Sequence, residues 1–330
     1  MNKISLISLS ILLILNGCVN EPVNDTESVL MDLLDRDEVI GVDGFGTEGD
    51  ADLDHEFGLE TDGISKILSD TLSFGEDYKI RFGRQITSHD RTVEFDINGD
   101  TAIAQITYTI FGEFIVKAMD TASHQPIDSL SFSKEFSTIF SRKVKFVNID
   151  AGNGSSDTTW RISGLTPMVG GSGDKVSILS LVIYSLTDSL DQGELLYSFE
   201  SDGMSELFID RESIPTFTAF SRYQVEVTVD NLGPELTADS AGVGEWVLKN
   251  YGRSSRARGR RYLNDRGTFL DATMNDNIHT GGWRTHGPGF GRRPRGFKSF
   301  VETIDLATIF VEDGGYNTAV WSIPYRIERP

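Results

Sequence analysis

A single cysteine, Cys18, stands among 330 residues, so no intrachain disulfide can staple this chain. Histidine is nearly as scarce: His55, His89, His124, His279 and His286 are the whole set. No two of them fall at i, i+4 on a predicted helix and no H-E-x-x-H occurs, which argues against a protein-built zinc site. Cations are outnumbered, 30 Lys and Arg against 50 Asp and Glu, for a formal charge of −20. Such a surface repels nucleic acid and anionic lipid over most of its area, so nucleic acid is not an expected partner. Beyond the first fifteen residues no apolar run is long enough to cross a bilayer as a helix. No period of 20–50 residues recurs, which argues against a repeat array.

What is present begins at the N-terminus. One cation, Lys3, precedes an apolar run from Ile4 to Leu15 broken only by serines. That is the pattern of a secretory signal, too short for a mature membrane span. The run closes in Leu15-Asn16-Gly17-Cys18, which resembles the bacterial lipobox, although Asn16 departs from the usual small residue. The resemblance implies that 1–17 is a lipoprotein signal peptide, that Cys18 is lipidated, and that 18–25 is a tether to the membrane. Val19 after the cysteine, in place of Asp, implies the outer membrane where an organism has two. Loss of Lys3 with the signal takes the charge from −20 to −21.

The 313 residues left (330 − 17) exceed what one core usually supports and predict two domains. From Glu21 to Asp62 the only cation is Arg36, against fifteen carboxylates. Within that stretch Asp25 or Thr26 can cap a helix whose apolar stripe is Val29, Leu30, Leu33 and Leu34 and which Gly41 can end. A second helix is expected over Ile64–Leu72. The period then changes to two. Val93, Phe95 and Ile97 alternate with acids, Asn98-Gly99 supplies a turn, and Ala102 to Ile110 alternate again, which predicts a hairpin. Further strands are predicted at Tyr78–Phe82, Lys143–Val147 and Thr159–Ser163. Two helices and a hairpin-rich sheet give an α+β domain over 26–168. With Trp160-Arg161-Ile162 running into Leu165-Thr166-Pro167, it resembles the NTF2-like, cone-shaped fold.

The cluster Gly170-Gly171-Ser172-Gly173 reads as a linker, 169–174. Beyond it β signals dominate: Val176–Tyr184, Leu195–Phe199, the alternating Tyr223–Val229, Glu245–Tyr251, Phe297–Val311 and Thr318–Ile327. These predict an all-β sandwich over 175–330, similar in architecture to immunoglobulin-like domains though without their cysteine pair. The chain as a whole is expected to be β-dominated.

Three patterns invite chemistry. Gly44-Phe45-Gly46-Thr47-Glu48-Gly49 fits G-x-G-x-x-G, but its acidic flanks would repel phosphate and no strand feeds it, so it reads as a loop. Asp50, Asp52 and Asp54 begin like a calcium loop. His55 and Thr61 stand where an EF-hand needs Gly and Glu, which leaves a loose cation site against a plain acidic loop. Ser172 fails G-x-S-x-G at Asp174, and no catalytic triad can be assembled.

The anomaly is basic. Arg253, Arg256, Arg258, Arg260 and Arg261 fall within nine residues, followed by Arg266, Arg284, Arg292, Arg293, Arg295 and Lys298. Between Asn277 and Val301 there is no carboxylate, and glycines and aromatics interleave the cations over 253–298. Arginine's planar fork suits phosphate and carboxylate. The segment either packs on the protein's own acidic residues 21–62 or binds a polyanion. Arg253, Arg256, Arg258, Arg260, Arg261, Arg292, Arg293 and Arg295 are the candidates for the second role. The expected function is binding or scaffolding at the cell envelope, with an anionic envelope polymer or another envelope protein as partner and no cofactor. The alternative is an enzyme or small-ligand binder with its pocket in the N-terminal domain.

Overall fold

The computed structural model describes residues 25–42, 45, 78–120, 122–150, 158–233, 244–252, 258–288, 296–312 and 314–330. Cys18, the Asp50–Asp52–Asp54 group and the predicted helix at 64–72 lie outside them. The chain opens with helix α1 (Asp25–Arg36), then three long strands: β1 (Tyr78–Asn98), β2 (Thr101–Asp120) and β3 (Phe132–Asp150). Next come β4 (Thr158–Leu165), β5 (Met168–Ser172), β6 (Val176–Leu186) and β7 (Gln192–Glu200). Two short strands, β8 (Ile209–Asp210) and β9 (Thr216–Thr218), lead to β10 (Arg222–Asn231) and β11 (Glu245–Gly252). The end comprises β12 (Arg258–Leu263), β13 (Ile278–Arg284), β14 (Gly296–Asp305), a one-turn helix α2 (Leu306–Phe310) and β15 (Thr318–Glu328). The protein is β-dominated, and apart from β9 beside β15 its strand pairs are antiparallel.

Two sheets result. The larger runs β1-β2-β3-β5-β15-β14-β11-β12, with β4 and β8 attached beside β3. The smaller runs β13-β10-β6-β7. Residues beyond 175 supply the whole smaller sheet and six of the eleven strands of the larger.

The predicted linker is instead a strand. β5 pairs Gly170 and Gly171 with Phe140 and Ile139 on one side and with Val320 and Ala319 on the other. The glycines are there because the neighbouring backbones come so close. A Cβ on Gly170 would stand 1.9 Å from the Ile139 carbonyl oxygen, and one on Gly171 2.0 Å from that of Thr318. Strands from both sides of residues 169–174 therefore share one sheet.

Three boundaries also move. The first helix ends at Arg36 rather than Gly41, where Asp37 Oδ1 accepts the Val39 N–H at 3.0 Å and turns the chain. The predicted strand 297–311 stops at Asp305 and its last turn is helical. The first hairpin loop is Gly99-Asp100, since Asn98 pairs with Thr101. Gly99 sits at φ +60°, as a glycine-first two-residue loop requires.

One face of β2 and β3 is lined by Ala104, Ile106, Phe114, Phe140, Val144 and Phe146, all buried, and α1 brings Leu30 and Leu34 to the same core. Beyond the helix, Val39, Ile40 and Phe45 are buried as well. Arg142 fixes this stretch, donating to the carbonyls of Val39 at 2.7 Å, Ile40 at 3.2 Å and Thr166 at 3.1 Å. Burial pushes its guanidinium down to about 10. Phe45 packs edge-on against Phe140, ring centroids 4.8 Å apart, and Arg84 lies 4.8 Å above the Phe45 ring. Arg84 pairs with Glu302 of β14 and donates to the Tyr316 hydroxyl. Burial opposes that charge, but the carboxylate of Glu302 and the oxygen of Tyr316 outweigh it and hold Arg84 above the ordinary arginine range.

Candidate functional site

The smaller sheet turns Tyr223, Val225, Val227 and Val229 of β10, with Trp283 of β13, toward the larger sheet. Alternation then sends Arg222 and Arg284 to the outer side, where both are exposed. The register places them directly opposite each other, Arg222 beside Arg284. Two like charges at such a pair repel.

β12 of the larger sheet meets the β13 edge of the smaller one through reciprocal backbone bonds between Asn264 and Thr280, at 2.9 and 2.8 Å. This corner brings a third arginine, Arg261, to the same cleft. The cleft has a volume of about 360 Å³, and its walls are Leu186, Leu190, Phe269, Leu270, Gly282 and Trp283 between Arg222, Arg261 and Arg284. Among the described residues none of the three arginines has an ion-pair partner. Arg284 Nε donates to the Phe220 carbonyl at 3.1 Å and Arg261 Nη1 to that of Arg260 at 3.1 Å, which aims two of the forks without neutralising them. On the inner face of β13 the indole N–H of Trp283 has no hydrogen-bond partner among the described residues.

The wall that carries Phe269 and Leu270 is held by carboxylates. Asp265 Oδ2 accepts the Asn277 N–H at 2.9 Å and its Oδ1 that of Asp276 at 3.2 Å, while Asp271 Oδ2 accepts from Gly267 at 2.6 Å. Burial raises the Asp265 carboxyl against the pull of those amides. Asp265, Asp271 and Asp276 bring carboxylate oxygens within 4.8 Å of one another and form the described group with the donors to hold a cation. Each also accepts a backbone amide nearby, Asp276 that of Ile278 at 3.0 Å, so folding the loop already accounts for them.

The rim is strained. Leu190, Phe220 and Phe269 are bulky residues at φ +67°, +63° and +65°, a region that costs such residues on the order of 1–3 kcal/mol. Their side chains remain 36, 58 and 75 % exposed, so burial does not offset that cost. All three touch the cleft: Leu190 and Phe269 line it, and the Phe220 carbonyl orients Arg284.

Of the basic residues singled out in the sequence, Arg261 and Arg284 reach this site. Arg260 faces the other way and donates to Asn250 Oδ1 at 3.1 Å. Arg258 begins β12, and Arg253, Arg256, Arg292, Arg293 and Arg295 lie outside the described residues. Arg222 and Leu190 carried no local signal, because a strand's outer arginine and a turn leucine look ordinary alone. The expected packing of the basic segment on residues 21–62 is present at one described point, where Lys298 Nζ donates to the Gly41 carbonyl at 3.1 Å, but the carboxylates of α1 pair elsewhere. Among the described residues Asp35 pairs with Arg91 and Asp37 with Arg211, while Asp32 pairs with Arg36 of the helix itself.

A second polar cluster lies between the sheets. His279 Nε2 meets Glu245 Oε1 at 2.7 Å, and Asn231 Nδ2 donates to Glu245 Oε2 at 2.9 Å. His279 is 0 % and Glu245 2 % exposed, so this dyad is sealed from any substrate and is structural. The chain matches no protein-family model, no curated protein and no solved structure, so the reading of the cleft rests on its own geometry.

Proposed function

We propose that this is a lipid-anchored cell-envelope protein that binds an anionic component of the envelope through the Arg222–Arg261–Arg284 cleft. The observation that carries the reading is the cross-strand pairing of two exposed arginines, Arg222 and Arg284, with a third beside them and no described carboxylate to neutralise any of the three. A repulsive arrangement of that kind is stabilised when an anion bridges the forks. The alternative, a pocket enclosed by the N-terminal strands, is less well supported, since Leu30, Leu34, Phe45 and the Arg84–Glu302 pair fill that side.

The address remains the lipobox reading: lipid on Cys18, with Val19 favouring the outer membrane of a two-membrane cell. The finer fold names are proposals of the same kind. A helix before a long antiparallel ribbon supports the NTF2-like comparison for 26–168, and two facing layers support the immunoglobulin-like one for 175–330. Any such comparison must accommodate the sheet they share through β5.

Titration with inorganic phosphate, followed by the amide resonances of residues 222 and 282–284, tests the site. Saturable shifts that vanish in an Arg222→Gln, Arg284→Gln double variant are expected, and unmoved resonances would overturn the reading. Cys18→Ser tests the anchor: it should leave an uncleaved precursor that incorporates no fatty acid, and a variant processed to normal size would refute it.

A further inference from the structure

The cleft's walls say more than that an anion binds. We infer that its ligand is an amphiphile, an anionic head of carboxylate or phosphate on an apolar body; this rests on the anion-binding reading above. Pure anion sites are built from amides, hydroxyls and cations. Here the surface between the three arginines is Leu186, Leu190, Phe269 and Leu270, with Gly282 and Trp283 contributing strand from β13. At Gly282 the Leu270 Cδ1 and Phe269 Cε1 atoms come within 3.4 and 3.6 Å of where a Cβ would be, so both side chains touch the strand there. An inorganic ion or a hydrophilic polyanion leaves this apolar surface in water. A ligand with a tail covers it.

The strained rim points the same way. Phe269 is 75 % exposed at φ +65°, and Leu190 is 36 % exposed at φ +67°. Asparagine or glycine would occupy either position with less strain. A fold that holds two large apolar side chains out at unfavourable dihedrals, both on one cleft, keeps them for something they touch only when it is bound. The volume of about 360 Å³ fits a small amphiphile and is within the range of small-molecule sites. The cleft is open, so a tail can also pass onward into a bilayer, and the head chemistry is shared by free and membrane-held ligands.

The test uses the full-length protein, wild type and variants with the same N-terminus. Decanoate and decyl phosphate, kept below their micelle concentrations, are compared with acetate, inorganic phosphate and decanol. Either tailed anion is expected to bind at least tenfold more tightly than its tailless counterpart and than decanol. The Arg222→Gln, Arg284→Gln double variant should weaken decanoate at least tenfold. Phe269→Asn should weaken decanoate by a larger factor than inorganic phosphate, and should raise the melting temperature by about 1–4 °C as the strain is relieved. A merely structural Phe269 would lower it. Phosphatidylglycerol vesicles assign the source: arginine-dependent vesicle binding identifies a bilayer lipid, and binding confined to the soluble probes identifies a free ligand. If phosphate binds but the tail adds nothing, the amphiphile inference fails and the anion-binding reading stands. Decanol binding as well as decanoate would also overturn it. If no anion binds, both fail together.

Discussion

Arg84 and Arg222 are both strand arginines, and their surroundings differ in every respect that matters to a charge. Arg84 is largely buried, its side chain 10 % exposed, its fork is taken by Glu302 and Tyr316, and a phenyl ring lies against its face. Arg222 is exposed, its neighbour across the sheet is another arginine, and no carboxylate pairs with it among the described residues. The first arrangement satisfies its charge within the fold. The second leaves it unneutralised among the described residues, open to the anion proposed above. Substitution should therefore split stability from binding cleanly between the two.

The largest effect is expected at the buried pair. Arg84→Met strands the Glu302 carboxylate in the core and should cost about 3–5 kcal/mol in denaturant unfolding. Adding Glu302→Leu should recover most of that loss, because the uncompensated charge goes with it. A double variant as unstable as the single one would mean that Arg84 acts through packing alone.

Gly170→Ala should come next, at about 1–3 kcal/mol of destabilisation, since its Cβ would meet the Ile139 carbonyl oxygen within the sheet. In a linker the same change would be neutral, which makes it the sharpest check on how the two halves join.

Lys249 is an intermediate case, a buried cation with no carboxylate in hydrogen-bond reach among the described residues. It hydrogen-bonds Ser299, its Nζ sits 4.5 Å from the Trp283 ring centre, and burial pushes it down to about 7. The unfolded chain keeps the proton up to the ordinary value of 10.5, so between about 7 and 10.5 the unfolded state binds more protons. Stability should rise with pH across that window and level off below it. Lys249→Met should flatten the rise and stabilise the protein at pH 7 by about 1–3 kcal/mol. A profile unchanged by the substitution would place the titration elsewhere.

How much of this was legible beforehand follows from where the information resides. The first helix was readable because Leu30 and Leu34 recur at helical spacing and both are buried. Val29, assigned to the same stripe, is 46 % exposed, since the helix presents a narrower face than the stripe suggested. The first hairpin was readable because alternation and a glycine turn are local. The Gly170 run was misread because its meaning lies in backbones from positions 139 and 318, which no window around it contains. The cleft was hidden for the same reason. Arg222 and Arg284 lie far apart in sequence, and only the pairing of β10 with β13 makes them neighbours. The local hints were the basic run that holds Arg261 and Arg284, and Phe269 after Asp265-Arg266-Gly267-Thr268, a turn-like stretch in which an exposed aromatic is out of place.

The smallest stability effect and the most telling contrast meet in one variant. Arg222→Gln with Arg284→Gln removes two like charges facing each other and no described ion pair. Calorimetric melting of this variant beside the wild type, each with and without saturating decanoate, tests the contrast directly. Without ligand the variant should melt at the wild-type temperature or slightly above, a gain of no more than about 1 kcal/mol. Decanoate should raise the wild-type melting temperature and leave the variant's where it was. A variant that melts well below wild type yet is still raised by decanoate would show these arginines to be structural and the cleft to be no anion site.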